Sequence, residues 1–316
     1  MRVAILDDYQ GVALSSADWS AVEARAEVVV YHDHLANEDA LVERLAEAEM
    51  ILAMRERTPF PRSLVERLPN LKLLITTGAR NASFDMPALR EAGVTVCGTG
   101  SSGSATSELT WGLILALMRG IPSEHAGVGE GRWQIGVGRD LGDKTLGVIG
   151  LGRLGAKVAA VGQAFGMPVL AWSQNMTRER TDELGVELAP SLDELLERSD
   201  IATIHLVLSE RTRGLIGASE LARLGSDAYL VNTSRGPIVD EAALVNALRS
   251  GTIAGAALDV FDEEPLPAGH PLIGLENVVL TPHIGYVTEE AYAVFYGEAV
   301  ENILGFLDGS PVRVIE

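Results

Sequence analysis

Short apolar runs alternate with segments of helical spacing along almost the whole chain. Val3–Leu6, Val28–Tyr31, Met50–Ala53, Leu71–Ile75 and Val94–Val96 are rich in valine, isoleucine and leucine, which predicts short buried strands. Between them, Glu38–Ala48 and Pro61–Leu68 repeat their apolar residues every three or four positions, as amphipathic helices do. Strands buried on both faces and separated by helices predict a parallel sheet with helices on either side. A second series starts at Lys144, with strands predicted at Thr145–Ile149, Val169–Trp172, Ile201–His205, Ala228–Asn232, Ile253–Ala257 and Val278–Leu280. Its helices are expected over 153–165, 191–198, 218–223 and 239–250. A long apolar helix is predicted over Ser104–Arg119, led in by a hinge-like glycine and serine stretch, Gly98 to Gly103. A last long helix, Glu289–Leu307, could carry the chain back to the first series.

One junction in this pattern carries chemistry. The strand ending at Ile149 runs into Gly150-x-Gly152-x-x-Gly155, and a helical pattern follows at once. Gly150 suits a tight turn, Gly152 lets the backbone approach a pyrophosphate, and Gly155 permits close packing of helix on sheet. The helix N-terminus then faces the anion. Glycine-rich turns are common, but this one has a strand before it and a helix after it, which points to a dinucleotide.

Composition narrows the possibilities. The chain has 316 residues, 47% hydrophobic and 22% charged, enough for two globular domains. A formal net charge of −19 argues against nucleic acid and anionic membrane as partners, because both need a positive field. The same charge means that an anionic substrate needs a local cluster of arginines. Cys97 is the only cysteine, which leaves no disulfide framework and no thiolate metal site; no metal is expected. MRVAILDDYQ runs directly into a strand pattern without a signal-peptide core, and the longest apolar run, Leu109 to Met118, is too short for a bilayer. A cytoplasmic protein is expected.

Three further motifs each follow a predicted strand: Asn232-Thr233-Ser234-Arg235-Gly236, Leu258-Asp259-Val260-Phe261-Asp262-Glu263-Glu264-Pro265, and Thr281-Pro282-His283-Ile284-Gly285. Ligands of open α/β sheets bind at the carboxyl ends of the strands, so one arginine, one glutamate and one histidine reach the same rim. Taken singly, an arginine after a strand or a histidine after Thr-Pro suggests a surface or turn residue. Their joint occurrence in this order argues for a catalytic set.

With these motifs in hand, the chain resembles the D-isomer-specific 2-hydroxyacid dehydrogenase family over nearly its whole length. The glycine loop, NTSRGPIVDEAAL, GAALDVFDEEPLP and TPHIG stand in the family's order and spacing. The resemblance implies an α/β fold of two Rossmann-like parallel-sheet domains with a cleft between them. The substrate-binding domain, flavodoxin-like, would comprise residues 1–100 and 286–316, and the dinucleotide-binding domain residues 101–285. The family's catalytic arginine, glutamate and histidine match Arg235, Glu264 and His283. Chemically, His283 is suited to exchange the hydroxyl proton of a hydroxy acid near neutral pH. Glu264 would orient the ring and favour its protonated form, and Arg235 could hold the substrate carboxylate and polarise the C2 oxygen.

The resemblance also implies cofactor contacts by Gly150, Gly152, Arg153, Leu154, Gly155, Ser173, Thr233, Asp259 and His283, with Asp259 near the nicotinamide carboxamide. His205 matches a family His-x-Pro turn, but Val207 stands in place of the proline. The segment Gly78-Ala79-Arg80-Asn81 falls where the family binds the substrate carboxylate through backbone N–H groups, and Arg80 replaces a usual glycine. Arg55, in Arg55-Glu56-Arg57-Thr58, is expected to edge the same cleft. With Arg235, these arginines would give a small anionic 2-hydroxy or 2-keto acid a positive site in a negative molecule.

The cofactor's ribose end stays open. NAD enzymes usually follow the second strand of the fold with an acidic residue, and this chain has Ser173-Gln174-Asn175 there. Arg178 and Arg180 lie close enough in sequence to reach a 2′-phosphate, yet no arginine follows the strand directly. The reading favours NAD and leaves NADP possible. The apolar character of Ser104–Arg119 and the habit of the family predict a homodimer. A cofactor-sensing binding protein, like the corepressors that resemble this family, is the alternative to an enzyme.

Overall fold

The computed structural model describes residues 1–101 and 103–316. The chain forms two compact units, Met1–Ser102 with Val287–Glu316 and Gly103–Tyr286. The hinge expected over Gly98–Gly103 includes Ser102, which lies outside the described residues.

In the first unit the elements run β1 (Arg2–Ile5), α1 (Ser20–Glu23), β2 (Glu27–Val30), α2 (Glu38–Leu45), β3 (Met50–Ala53), α3 (Arg62–Val65), β4 (Leu73–Thr76), α4 (Met86–Glu91) and β5 (Thr95–Cys97). All five strands are parallel, in the order β2-β1-β3-β4-β5. That is the flavodoxin-like order, with its reversal between β1 and β3. Ala4, Ile51, Leu74 and Val96 pack with Leu41, Leu64 and Leu89 from α2, α3 and α4. The helix expected over Pro61–Leu68 is shorter because the chain tightens after Val65, where the Arg67 and Leu68 N–H groups bond three residues back.

The second unit continues with α5 (Ala105–Arg119), α6 (Ile121–Gly129), β6 (Leu146–Ile149), α7 (Arg153–Ala164), β7 (Val169–Trp172), α8 (Arg178–Glu183), β8 (Glu187–Leu188), α9 (Leu192–Arg198), β9 (Ile201–Ile204), α10 (Ala218–Leu224), β10 (Tyr229–Asn232), α11 (Glu241–Ser250), β11 (Gly255–Leu258) and β12 (Val278–Leu280). The strands form a parallel sheet in the order β12-β11-β10-β9-β6-β7-β8. Neighbouring residues of a strand feed opposite faces, as the pleat requires. Val148, Val231 and Ala257 pack with Trp111, Ile114 and Val158 from α5 and α7. Ile149, Leu230 and Leu258 pack with Leu195, Leu221 and Leu244 from α9, α10 and α11. A wholly buried side chain such as Ile149 contributes about 1.5–3 kcal/mol by leaving water.

The start of β11 differs from expectation, and three short elements were not expected. Ile253 is a buried core residue, but β11 begins only at Gly255, where the backbone pairs with Tyr229 of β10. The short α6, α8 and β8 carry too few apolar repeats to be visible in the sequence. The last helix, α12 (Glu289–Leu307), belongs to the first unit and packs on α1 and β4 through a face that includes Phe295, Tyr296 and Ile303. Among the described residues no helix is long and apolar enough to cross a membrane.

Candidate active site

Every motif of the second unit sits just beyond the carboxyl end of a strand: Gly150 after β6, Ser173 after β7, Arg235 after β10, Asp259 after β11 and His283 after β12. The strand order reverses at β6, which lies between β9 and β7. A crevice at such a reversal is where open α/β sheets take their ligands.

At the reversal the glycines divide their work as steric demands dictate. Gly150 has a φ of +99°, and a Cβ there would stand 2.6 Å from the His205 carbonyl oxygen at the end of β9. A Cβ on Gly155 would overlap the Gly150 carbonyl oxygen, so α7 can lie this close to β6 only with glycine. Gly152 differs, since a Cβ on it meets nothing within 4 Å. The space over Gly152 and the first-turn N–H groups of α7, which no side chain caps, form an anion cradle. Arg153 and Leu154 open that helix. Next to β7 lies a pocket of about 350 Å³ lined by Trp172, Ser173, Gln174 and Asn175 on one side and by Leu206, Ser209, Arg211, Thr212 and Leu215 on the other. Cradle and pocket together fit a dinucleotide.

The adjacent strands β10, β11 and β12 lead into the loops that carry Arg235, Glu264 and His283. His283 donates from Nδ1–H to Glu264 Oε2 at 2.5 Å, and the two side chains are 16% and 26% exposed. Glu264 also accepts from the Phe261 N–H at 2.9 Å, which fixes the carboxylate from the other side. Its neighbour Glu263 is exposed and makes no such pair. His283 has a φ of +53°, a conformation that histidine visits more readily than bulkier residues, and its ring meets Tyr286 edge to face.

Arg235 is set by a local clamp. Buried Asn232 donates to the Arg235 carbonyl at 2.9 Å and accepts from the Ser234 N–H at 3.0 Å, a side-chain-closed turn. Gly236 then lets this turn approach the Phe261 peptide so closely that a Cβ would overlap it. The loops bearing Arg235 and Glu264 are thereby held against each other.

Asp259, expected near the nicotinamide carboxamide, also has partners within the fold. It is wholly buried, and its oxygens accept from Thr281 Oγ1 at 2.6 Å, the Ile284 N–H at 2.8 Å and the Gly285 N–H at 2.8 Å. Burial raises its carboxyl above the ordinary carboxylate range, while these hydrogen bonds work in the other direction. Asp259 is thus the anchor of the loop that carries His283. Thr233 is also buried, with its hydroxyl 2.9 Å from that of Thr110. His205 is half-buried beside Thr203, 3.0 Å away, and burial pushes its imidazole down to about 4.

In the first unit the substrate-loop residues cluster beyond β3 and β4. The Arg55 N–H donates to Thr77 Oγ1 at 2.9 Å, and its guanidinium fills the space where a Cβ on Gly78 would be. Two residues expected to contact the substrate make hydrogen bonds within the fold. The Gly78 N–H already donates to Thr99 Oγ1 at 2.7 Å. Asn81 donates to the Arg55 carbonyl and to Thr76 Oγ1, and accepts from the N–H and hydroxyl of Ser83, which uses its amide completely. Ala79 and Arg80 are exposed at the tip. Cys97 is buried, and burial pushes its thiol up to about 11, which removes it as a nucleophile.

The family profile described as D-isomer specific 2-hydroxyacid dehydrogenase, NAD binding domain, matches residues 111–285. The chain is 43% identical over 256 residues to a glyoxylate reductase of Aeropyrum pernix, covering 78% of this chain and 76% of that one. It is 38% identical over 281 residues to a D-3-phosphoglycerate dehydrogenase of Methanocaldococcus jannaschii, covering 84% of this chain but 53% of that protein, so it spans about half of that relative. Among solved structures, a putative D-3-phosphoglycerate dehydrogenase oxidoreductase from Ralstonia solanacearum superposes with a TM-score of 0.93 at 39% identity, covering 99% of this chain and 96% of the other. With this match and this site, the chain belongs to the D-isomer specific 2-hydroxyacid dehydrogenase family and is an NAD(P)-binding oxidoreductase.

Proposed function

We propose that the chain interconverts a small D-2-hydroxy acid and the corresponding 2-keto acid, with Arg235, Glu264 and His283 as its working groups. The 2.5 Å contact between His283 Nδ1 and Glu264 Oε2 carries this reading. It commits Nδ1 to the carboxylate, fixes the ring plane, and leaves Nε2 as the atom that trades a proton with substrate. The bound nicotinamide supplies the hydride in reduction and accepts it in oxidation. In reduction, His283 Nε2–H donates its proton to the keto oxygen as that oxygen becomes a hydroxyl. In oxidation, the neutral Nε2 takes the hydroxyl proton, and Glu264 stabilises the imidazolium that results. Arg235 holds the carboxylate; in the first unit we assign substrate binding to Arg80 and the Ala79 backbone, with Arg55, Gly78 and Asn81 shaping their loop. Asp259 acts through the His283 loop.

Relatives named for glyoxylate and phosphoglycerate point to a substrate of two or three carbons with a carboxylate next to the reacting centre. The test is NAD(P)H oxidation with a panel of 2-keto acids, glyoxylate and hydroxypyruvate first, with chiral analysis of the product. Reduction of hydroxypyruvate to the D-isomer supports the reading. Tight cofactor binding without turnover of any keto acid would favour the sensing alternative.

A homodimer is proposed with it, on different grounds from those the sequence offered. The apolar residues of α5, including Trp111, Ile114 and Met118, are buried within their own unit. The exposed apolar groups come just after it: Ile121, Val128, Trp133 and Val137 are 52%, 57%, 79% and 100% exposed. A second copy that covers this segment explains them. Sedimentation velocity of wild type and Trp133→Ser should give a dimer and a weakened dimer; a monomeric wild type removes the proposal. We place the protein in the cytoplasm, where the unpaired Cys97 stays reduced; activity confined to the membrane or extracellular fraction of the source cells would contradict it.

A further inference from the structure

The pocket beside β7 bears on which dinucleotide the protein selects. NAD enzymes of this fold place a carboxylate about 20 residues after the glycine loop, where it accepts from the ribose 2′-hydroxyl and repels a 2′-phosphate. Here Ser173 occupies that position, directly after the last residue of β7. None of the nine residues that line the pocket is acidic, and one, Arg211, is a cation. Arg211 comes from the loop after β9, a strand that does not neighbour β7 in the sheet, and the fold brings it to the Ser173–Asn175 side. Its Nε donates to Gln174 Oε1 at 2.6 Å, and a second N–H group bonds the same oxygen. That tether draws the guanidinium to the turn without neutralising it, because its partner is an amide. The turn contributes donors of its own. The Met176 N–H closes it on the Ser173 carbonyl at 3.0 Å, while the Gln174 and Asn175 N–H groups have no acceptor among the described residues.

The nearer arginines are less well placed. Arg180 bonds Glu183 at 3.2 Å and the Leu151 carbonyl at 3.4 Å, and neither it nor Arg178 lines the pocket. We infer that the pocket of Ser173, Gln174, Asn175 and Arg211 takes a ribose 2′-phosphate, with Arg211 as its charge partner, so that the protein selects NADP(H) over NAD(H). In a molecule of net charge −19, a dianionic group needs such a local cation and the loss of the usual carboxylate, and this pocket supplies both. The inference rests on the dinucleotide reading and narrows it.

Binding of two fragments, measured by isothermal titration calorimetry, separates the possibilities without turnover. Adenosine 2′,5′-bisphosphate and 5′-AMP differ only in the 2′-phosphate. The wild type should bind the bisphosphate at least tenfold more tightly, Arg211→Ala should abolish that difference, and Ser173→Asp should reverse it. NADPH should likewise bind more tightly than NADH. Equal affinity of the wild type for both fragments, or a preference that survives Arg211→Ala, overturns the assignment. Failure to bind NADH, NADPH and both fragments would overturn the dinucleotide reading itself.

Discussion

Asp259→Asn is the most informative single change in the His283 loop. The carboxylate accepts three hydrogen bonds at 2.6, 2.8 and 2.8 Å while wholly buried. An amide has one oxygen and turns its NH2 toward a donor in either orientation. At least one buried N–H or O–H then lacks an acceptor, at about 1–3 kcal/mol, and the bonds that remain lose their charge assistance. In partial compensation, the amide avoids burial of a charge, the effect that raises the Asp259 carboxyl. The net result is a hold on the 281–285 loop weaker by about 2–4 kcal/mol, which corresponds to a fall in kcat of about 30- to 1,000-fold if His283 must be in place to react. The assay is steady-state reduction of the best keto acid by the single variants Asp259→Asn and His283→Ala and by the double variant. Because Asp259 acts only through His283, the double variant should be no slower than His283→Ala. Losses that multiply would give Asp259 a separate role, and a kcat within twofold of wild type would refute the anchor.

Three other expectations follow from the same geometry. Gly152→Ala meets no neighbouring atom, so stability should change by less than about 1 kcal/mol while NAD(P)H affinity drops at least about tenfold; Gly155→Ala drives a Cβ into backbone and should cost about 1–3 kcal/mol in urea unfolding. The reverse ranking would contradict the division of labour among the glycines. His205, held at about 4, contributes fully above pH 6.5, and that contribution is lost as the pH falls toward 4, because the unfolded chain takes a proton that the folded ring resists. Between pH 7 and 5 the wild type should therefore lose about 2 kcal/mol more than His205→Gln in urea titrations, and equal losses would disprove it. Arg80→Ala should raise KM for the keto acid with little change in kcat; an unaltered KM returns Arg80 to an ordinary loop residue.

Local patterns made most of the strands legible. Met50–Ala53 and Val169–Trp172 lie within apolar runs, because a strand buried on both faces cannot include a polar residue without a partner, and the half-buried edge strand Val278–Leu280 is legible from its apolar run alone. The glycine loop was legible from the strand before it and the helix after it; the Gly155 constraint is local, whereas Gly150 is also held by the distant His205 carbonyl. The pairing of His283 with Glu264 rather than Glu263 rested on the family motif, and the geometry supports that choice. What local reading missed was set by distant partners. Arg211 has no motif around it and gains significance only when the β9 loop reaches the turn after β7. Within the Arg235 motif, Asn232 ties the turn and Gly236 permits its contact with Phe261, a role that depends on the distant loop after β11. The internal hydrogen bonds of Asp259 and Asn81, which join residues distant in sequence, are likewise invisible to a local pattern.

The central claim is that His283, oriented by Glu264, moves the proton that accompanies hydride transfer. Turnover and NAD(P)H affinity of His283→Ala, measured side by side with wild type on the same keto acid, test it most directly. The variant should show a fall in kcat of about 10²- to 10⁴-fold, the scale of acid–base catalysis, with cofactor affinity kept within about threefold. Near-normal turnover in the variant, or loss of cofactor binding in place of loss of chemistry, would contradict it.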